Sequence, residues 1–266
     1  MPCWQTTRSW RAPPARVEET AIVTFLSRKT GQFSYFAQQV GDSAWRGKNV
    51  LDFGGNVGNI LRDPSATIEH PRYWCVDVVR ESIDAGRVRY PESHWLYYDR
   101  YCFFFNPHGV PGLPLPAMTQ KFDYIVAYSV FTNTSRADML DLVAQLEALL
   151  ADGGTLAFTY IDPHYEPWPE KRVDNFSWRL EREYGEAKSD EAQNMLRRAA
   201  DAEWCMLVNG RDLYIEEEVP QAYPADAQKT CHVFYSTSYL RELFPRAEFR
   251  RPVNREMQHC CVIRKA

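Results

Sequence analysis

The chain has 266 residues, 45% of them apolar and 25% charged, a balance that builds one full-sized core with room for a modest cap. Its formal net charge is -4 and its pI about 5.9, which argues against a nucleic-acid partner, since such binding needs a basic face. Seven cysteines, an odd number with no CxxC pair, suggest neither a disulfide framework nor a zinc knuckle. Cys75 and Cys205 stand in apolar runs and read as small core residues. With no signal-peptide pattern and no apolar run of about 18 residues, a reduced, cytoplasmic protein without a membrane partner is expected.

In chain order, residues 1–15 mix Pro, Arg and Trp without periodicity. VEETAIVTFLSRKTG, from Val17, predicts a helix closed by Gly31, and FSYFAQQVG a shorter one ending at Gly41. NVLDFGG is an apolar strand stopped by glycines. Strands follow at 72–78 (RYWCVDV), 94–99 (HWLYYD), 122–131 (FDYIVAYSVF) and 154–162 (GTLAFTYID). Between the last two, Met139, Leu140, Val143, Leu146, Leu149 and Leu150 make one apolar helical stripe, with Gly153 as its stop. Strands alternating with helices predict βαβ units and a mostly parallel sheet. Residues 163–230 break the rhythm, with one long helix expected between Phe176 and Ala200 and a hairpin over 204–216 turning at Asn209-Gly210. STSYLRELFP predicts a helix capped by Ser236, and AEFRRPV and HCCVIRK two closing strands. The division that results is an N-terminal helical lid at 1–41, a core at 42–162, a cap at 163–230 and the end of the core at 231–266.

The chemistry concentrates at VLDFGGNVGN, residues 50–59. A glycine-rich turn after a first strand brings backbone N–H groups close to a ligand. Here it contains Gly54, Gly55, Asn56 and Gly58, preceded by Asp52, which can hold an ammonium group or brace the loop. Asp77 ends the second strand roughly 20 residues on, the spacing of an acid that accepts both hydroxyls of a ribose. Asp99 closes the third strand. Three acids at the carboxyl ends of three successive strands converge on one crevice.

On these residues the chain resembles a class I S-adenosylmethionine-dependent methyltransferase. The family's D-x-G-x-G-x-G is matched by Asp52, Gly54, Asn56 and Gly58, with Asn56 in place of the middle glycine; asparagine tolerates a left-handed backbone better than most residues. The resemblance implies that the turn cradles the methionine part of S-adenosyl-L-methionine, that Asp77 with Val78 beside it takes the ribose, and that Asp99 and Arg100 lie at the adenine. FDYIVAYSVFTN resembles the fourth-strand motif, with Asn133 where small-molecule members often carry histidine, and LLADGGTLAF matches the turn into the fifth strand. The resemblance spans about 50–162 and 234–265. It implies an α/β Rossmann-like methyltransferase fold: seven strands, mostly parallel, the last antiparallel, helices on both faces, with a helical and hairpin cap. The (N/D)PP(Y/F) of adenine-in-DNA methylases is absent from the fourth strand.

The acceptor site is expected from parts outside the common core. Phe33, Tyr35 and Phe36 can form an aromatic lid or equally pack a helix into the core. Tyr101, Phe103, Phe104, Phe105 and His108 follow Asp99 in a ring-rich loop that can line the acceptor pocket or pack at the sheet edge. Tyr160 and Tyr165 flank the end of the fifth strand. His164 is the first candidate for a general base, then His232, because imidazole titrates near neutral pH; either can also be an incidental polar residue. Tyr128, also a candidate cofactor contact, and Asn133 suit positioning better than proton transfer. No metal trio is apparent. The expected reaction is methyl transfer to a small-molecule acceptor, at O, N or C, aromatic, apolar or carboxylic, of the natural-product kind. The runner-up is a protein or peptide methyltransferase, and a third reading is a cofactor-binding protein that no longer transfers. A homodimer is possible through the N-terminal helices.

Overall fold

The computed structural model describes residues 31–167, 174–184, 190–209, 212–217, 231–253 and 257–266. The helix expected from Val17 lies, apart from its closing Gly31, outside them, as does Gly210 of the expected hairpin turn. Helix α1 (Gln32–Val40) ends where Gly41 turns left-handed at φ 75° and its N–H bonds back to the Ala37 carbonyl. Its aromatic residues recur at helical spacing, and Phe33, Tyr35 and Phe36 are all buried.

Strands β1 (Val50–Phe53), β2 (Tyr73–Asp77), β3 (His94–Tyr97), β4 (Phe122–Ala127) and β5 (Leu150–Tyr160) follow, with helices α2 (Arg80–Arg89) and α3 (Arg136–Leu149) between them. Ser135 caps α3 by accepting from the Asp138 N–H. Beyond β5 come α4 (Asn175–Tyr184), α5 (Asp190–Ala199), β6 (Trp204–Val208), β7 (Asp212–Ile215), β8 (Cys231–Tyr235), α6 (Thr237–Leu243), β9 (Glu248–Arg250) and β10 (His259–Arg264). The single long helix expected between Phe176 and Ala200 is thus two; the sequence between carries Gly185, and Asp190 with Glu191 opens a new acidic first turn. The expected cap of α6 is found, Ser236 accepting from the Tyr239 N–H.

The main sheet has seven strands in the order β3-β2-β1-β4-β5-β10-β9. Strands β1 to β5 pair in parallel; β10 runs antiparallel to both β5 and β9. A second, three-stranded antiparallel sheet has the order β7-β6-β8. Strand β8 lies within the stretch assigned from sequence to the end of the core, yet pairs with β6 of the cap.

Burial explains the layering. On one face of the main sheet, α1 brings Phe33, Phe36 and Val40 onto Val50, Tyr124 and Val262, and α2 brings Ile83. On the other, Met139, Leu142, Val143 and Leu146 of α3 meet Leu51, Ile125, Leu156 and Phe158. Strand β6 is buried throughout because its alternate residues serve two cores: Met206 and Val208 join the main sheet, while Cys205 and Leu207 face α4 and α5. Helix α2 sits close to β3 because Gly86 leaves room for Trp95; a Cβ there would lie 2.2 Å from the indole. Helix propensity alone favours alanine at Gly86 by about 1 kcal/mol. The contact reverses that sign, and Gly86→Ala should destabilise by about 1–3 kcal/mol in urea denaturation; a stabilised variant would show that the indole yields freely.

Candidate active site

The crevice starts at the end of β1. Gly54 is left-handed at φ 72°, and a Cβ there would stand 2.4 Å from Val130 Cγ2, so only glycine lets the loop after β4 press against the turn. Asn56 takes φ 55° and Gly58 φ 78°. The Asn56 side chain accepts from the Val57 N–H at 2.7 Å, a local bond that suits asparagine to this conformation. A short 3-10 turn, Asn59–Arg62, continues the loop in place of a full α-helix.

Asp52 and Asp77 hold this turn from below and from the side. The Asp52 carboxylate, 1% exposed, accepts from the Tyr73 hydroxyl at 2.7 Å. A Cβ on Gly55 would come within 2.5 Å of that carboxylate, so the loop rests directly on it. Of the two roles open from sequence, bracing the loop is the one this position serves. Burial pushes Asp52 up to about 7, the Tyr73 bond opposing and the nearby Asp77 charge adding. Asp77 accepts from the Asn56 N–H through one oxygen and from the Val79 N–H through the other, both at 2.8 Å. Burial also raises it, to about 6, against the pull of these backbone donors. Val78 is half-buried beside it.

Asp99 is exposed and accepts from the Tyr97 hydroxyl at 2.6 Å, which holds it below the usual carboxylate range. The Arg80 guanidinium lies 3.7 Å over the Tyr97 ring. Arg100, its neighbour in sequence, leaves the crevice. It is 3% exposed and pairs with Asp138 and with Asp141 (2.6 Å) on α3, so its cation ties the loop to that helix instead of meeting a cofactor.

The loop after β4 forms a polar knot. Ser129, at φ 60°, donates its N–H to Thr159 Oγ1 at 2.7 Å. Gln258 Nε2 donates to Ser129 Oγ at 3.0 Å, and Thr159 Oγ1 donates to Gln258 Oε1. Asn133 Nδ2 donates to the Ser129 carbonyl and to Thr132 Oγ1, which makes it a prop of this turn. Tyr128 packs edge-on against Tyr35 and Phe36, with ring centroids 5.6 and 6.1 Å away.

The acceptor-side candidates divide. Phe33, Tyr35 and Phe36 belong to the core between α1 and the sheet rather than to a lid, though the last two reach Tyr128. Tyr101 and Phe104 are half-buried against the core, beside buried Phe103, whereas His108 is exposed. Tyr160, fully buried, shares a hydrogen bond of 2.9 Å with Thr237 Oγ1. His164 is exposed on a turn and gives only its backbone N–H to Asp162, while the Tyr165 ring turns inward against His259 at 4.7 Å. His232, opposite Leu207 in the cap sheet, is on the side of that sheet facing α4 and α5. The structure adds Ser129, Thr159, Gln258 and His259, which sequence reasoning missed because their only signal was a place inside or beside apolar runs. A surface hollow of about 510 Å³, lined by Phe33, Ser34, Asp42 and Thr67 among others, opens between α1 and the 65–67 turn, away from the crevice. Among the described residues, no three His, Cys, Asp or Glu gather in a group that could hold a metal ion, and no helix is long and apolar enough to cross a membrane.

Asp52→Asn keeps an acceptor for Tyr73 and removes an ionisation. Because the folded-state pKa is raised above the unfolded value, wild type loses this group's contribution as pH climbs from about 4 to about 7. The variant does not, so relative to wild type it should be more stable at pH 8 than at pH 4 by on the order of 2–4 kcal/mol. Chemical denaturation at the two pH values measures the difference, and a pH-independent gap would contradict it.

Residues 51–156 match the family model described as a methyltransferase domain. Among solved structures the chain is similar to a glycopeptide N-methyltransferase complexed with S-adenosyl-L-homocysteine, at 12% identity and a TM-score of 0.48, covering 93% of this chain and 99% of that one. It is similar to an S-adenosylmethionine-dependent methyltransferase from Clostridium acetobutylicum (10% identity, TM-score 0.48, 88% and 90% covered). A third is the N-methyltransferase NodS from Bradyrhizobium japonicum (12% identity, TM-score 0.45, 91% of each chain covered). A sequence comparison with curated proteins gives no match. The strand order and the glycine turn agree with the family match, which covers residues 51–156.

Proposed function

We propose that the chain is a class I S-adenosylmethionine-dependent methyltransferase acting on a small-molecule acceptor, and that its cofactor lies across the 54–58 turn with Asp77 at the ribose. The observation that carries the cofactor placement is the Asp77 carboxylate at the mouth of the turn. Each oxygen accepts one backbone N–H and keeps capacity for a further hydrogen bond, as a pair of ribose hydroxyls requires. The left-handed φ of Gly54 and Gly58 supports the same reading, because it folds the turn tightly against Val130 on one side and Trp95 and Tyr90 on the other. Exposed Asp99, with the Tyr97 ring under Arg80, suits an adenine edge. Bound there, S-adenosylmethionine supplies an electrophilic methyl on a sulfonium.

The residues of this chain do the rest. The polar knot of Ser129, Thr159 and Gln258 fixes the end of β4, where acceptor and methyl must meet in line. The cap excludes water from that end. Val233 N–H bonds to the Thr132 carbonyl at 2.8 Å, and Tyr235 N–H to the Ile161 carbonyl at 3.0 Å, so β8 is stitched to the loops after both β4 and β5. A crevice narrowed in this way supports an acceptor of small-molecule size over an extended peptide.

Calorimetric titration with S-adenosylmethionine tests the placement. Asp77→Ala should weaken binding by at least about tenfold, the cost of one charge-assisted hydrogen bond. Asp52→Asn, whose carboxylate lies under the loop, should stay within about threefold. Equal losses in both would refute the assignment of their roles, and a folded wild type that binds neither cofactor nor product would refute the function itself.

A further inference from the structure

Where β5, β10 and α4 meet, two buried polar atoms have no hydrogen-bond partner among the described residues: His259 Nδ1 and Asn175 Oδ1. His259 is 7% exposed and Asn175 fully buried. The Asn175 amide has a fixed sense, since its Nδ2 donates to the Asp162 carbonyl at 2.9 Å and to the Met257 carbonyl at 3.2 Å. The orphan is therefore the oxygen, an acceptor in want of a donor. The two residues share a neighbour: Asn175 N–H donates to the Tyr165 carbonyl at 2.9 Å, and the Tyr165 ring stands edge-on to the imidazole. On its other side the imidazole leans on the Tyr160 ring, 5.3 Å away.

Their place in the fold is informative. His259 begins β10 opposite Tyr160, the last residue of β5, at the carboxyl end of the parallel sheet. Gln258, one residue earlier, reaches Ser129 at the end of β4. His259 thus stands two strands over from the point proposed for methyl transfer, under the cap, where Phe176 of α4 packs on Phe234 of β8. Leaving such an atom unsatisfied is destabilising, a cost that a ligand's polar group can remove.

We propose that His259 and Asn175 form the polar end of the acceptor pocket and bind a neutral aromatic ring carrying an O–H or N–H donor, such as a phenol or an N–H heteroaromatic. This rests on the function proposed above. Asn175 Oδ1 takes the donor, Tyr160 and Tyr165 supply ring faces and edges, and the imidazole contributes its Nδ1. A carboxylic acid fits badly: ionised, it offers only acceptors to Asn175 Oδ1 and stands near the Asp162 carboxylate. Burial depresses His259 to about 4, with Asp162 opposing and Arg251 assisting, so the imidazole is neutral when a neutral ring arrives. Recognition alone is assigned to the pair.

The test uses full-length protein with ¹⁵N-labelled histidine, loaded with S-adenosylhomocysteine and titrated with phenol, indole and benzoate. The His259 nitrogens should shift with phenol or indole and not with benzoate. A shift with benzoate, or with none of the three, overturns the proposal, whereas failure to bind S-adenosylhomocysteine overturns the function on which it rests. His259→Phe keeps a ring between the two tyrosines and deletes the orphan nitrogen. It should weaken the phenol or indole that binds wild type by at least tenfold, leaving S-adenosylhomocysteine affinity unchanged and thermal stability equal or higher. Unchanged probe affinity in this variant would mean a buried water satisfies the pair, and would overturn the assignment; if the variant does not fold, the wild-type spectra decide.

Discussion

Asp77 commits each of its carboxylate oxygens to a backbone N–H, one on the glycine turn and one at the start of α2. Burying a carboxylate is costly unless charge-assisted hydrogen bonds compensate, and here those bonds determine the backbone path on both sides of the crevice. Asp52 applies the same constraint from underneath, through Tyr73 and through contact with Gly55. Strand register makes this possible. Asp52 pairs with Cys75, so Asp77 stands one pleat further along the same side, level with the turn it holds. The positive φ at Asn56 is held directly by this arrangement, since its N–H is the one that Asp77 takes.

A comparable economy governs the periphery. The Arg100 cation is almost wholly buried, and two α3 carboxylates with the Leu113 carbonyl accept from its two terminal nitrogens. That pins the ring-rich loop after β3, so Tyr101, Phe103 and Phe104 hold defined positions without regular secondary structure. The main-chain bonds of Tyr101 with Val110 and of Cys102 with Asn106 complete the fold-back. Loops near a transfer site gain from such rigidity, because the acceptor is positioned by what surrounds it.

What could be read from sequence was what is local in sequence. The strands, the glycine turn, the acids Asp52 and Asp77 and the caps at Gly41 and Ser236 each depend on a few adjacent residues and occupy their expected elements, whereas Asp99 lies two residues past the end of β3. Adjacency also misled: Arg100 follows Asp99, but alternation along an extended chain sends the two side chains opposite ways. The rings of α1 have core spacing, and burial, not composition, settles that they pack. The Ser129–Thr159–Gln258 knot and the His259–Asn175 pair join segments far apart in the chain, and no spacing rule connects them. The two-helix form of the cap was missed because a charged, amphipathic stretch reads as continuous until tertiary packing divides it.

Strand β6 has a mechanical consequence. Its odd and even residues serve different cores, so lifting the cap sheet would strip Met206 and Val208 from one and, if α4 and α5 stayed behind, Cys205 and Leu207 from the other. A strand welded on both sides is a partition wall and not a door. Any displacement of the cap sheet is therefore resisted twice, once by each core, and the two cores move as one body wherever this strand joins them.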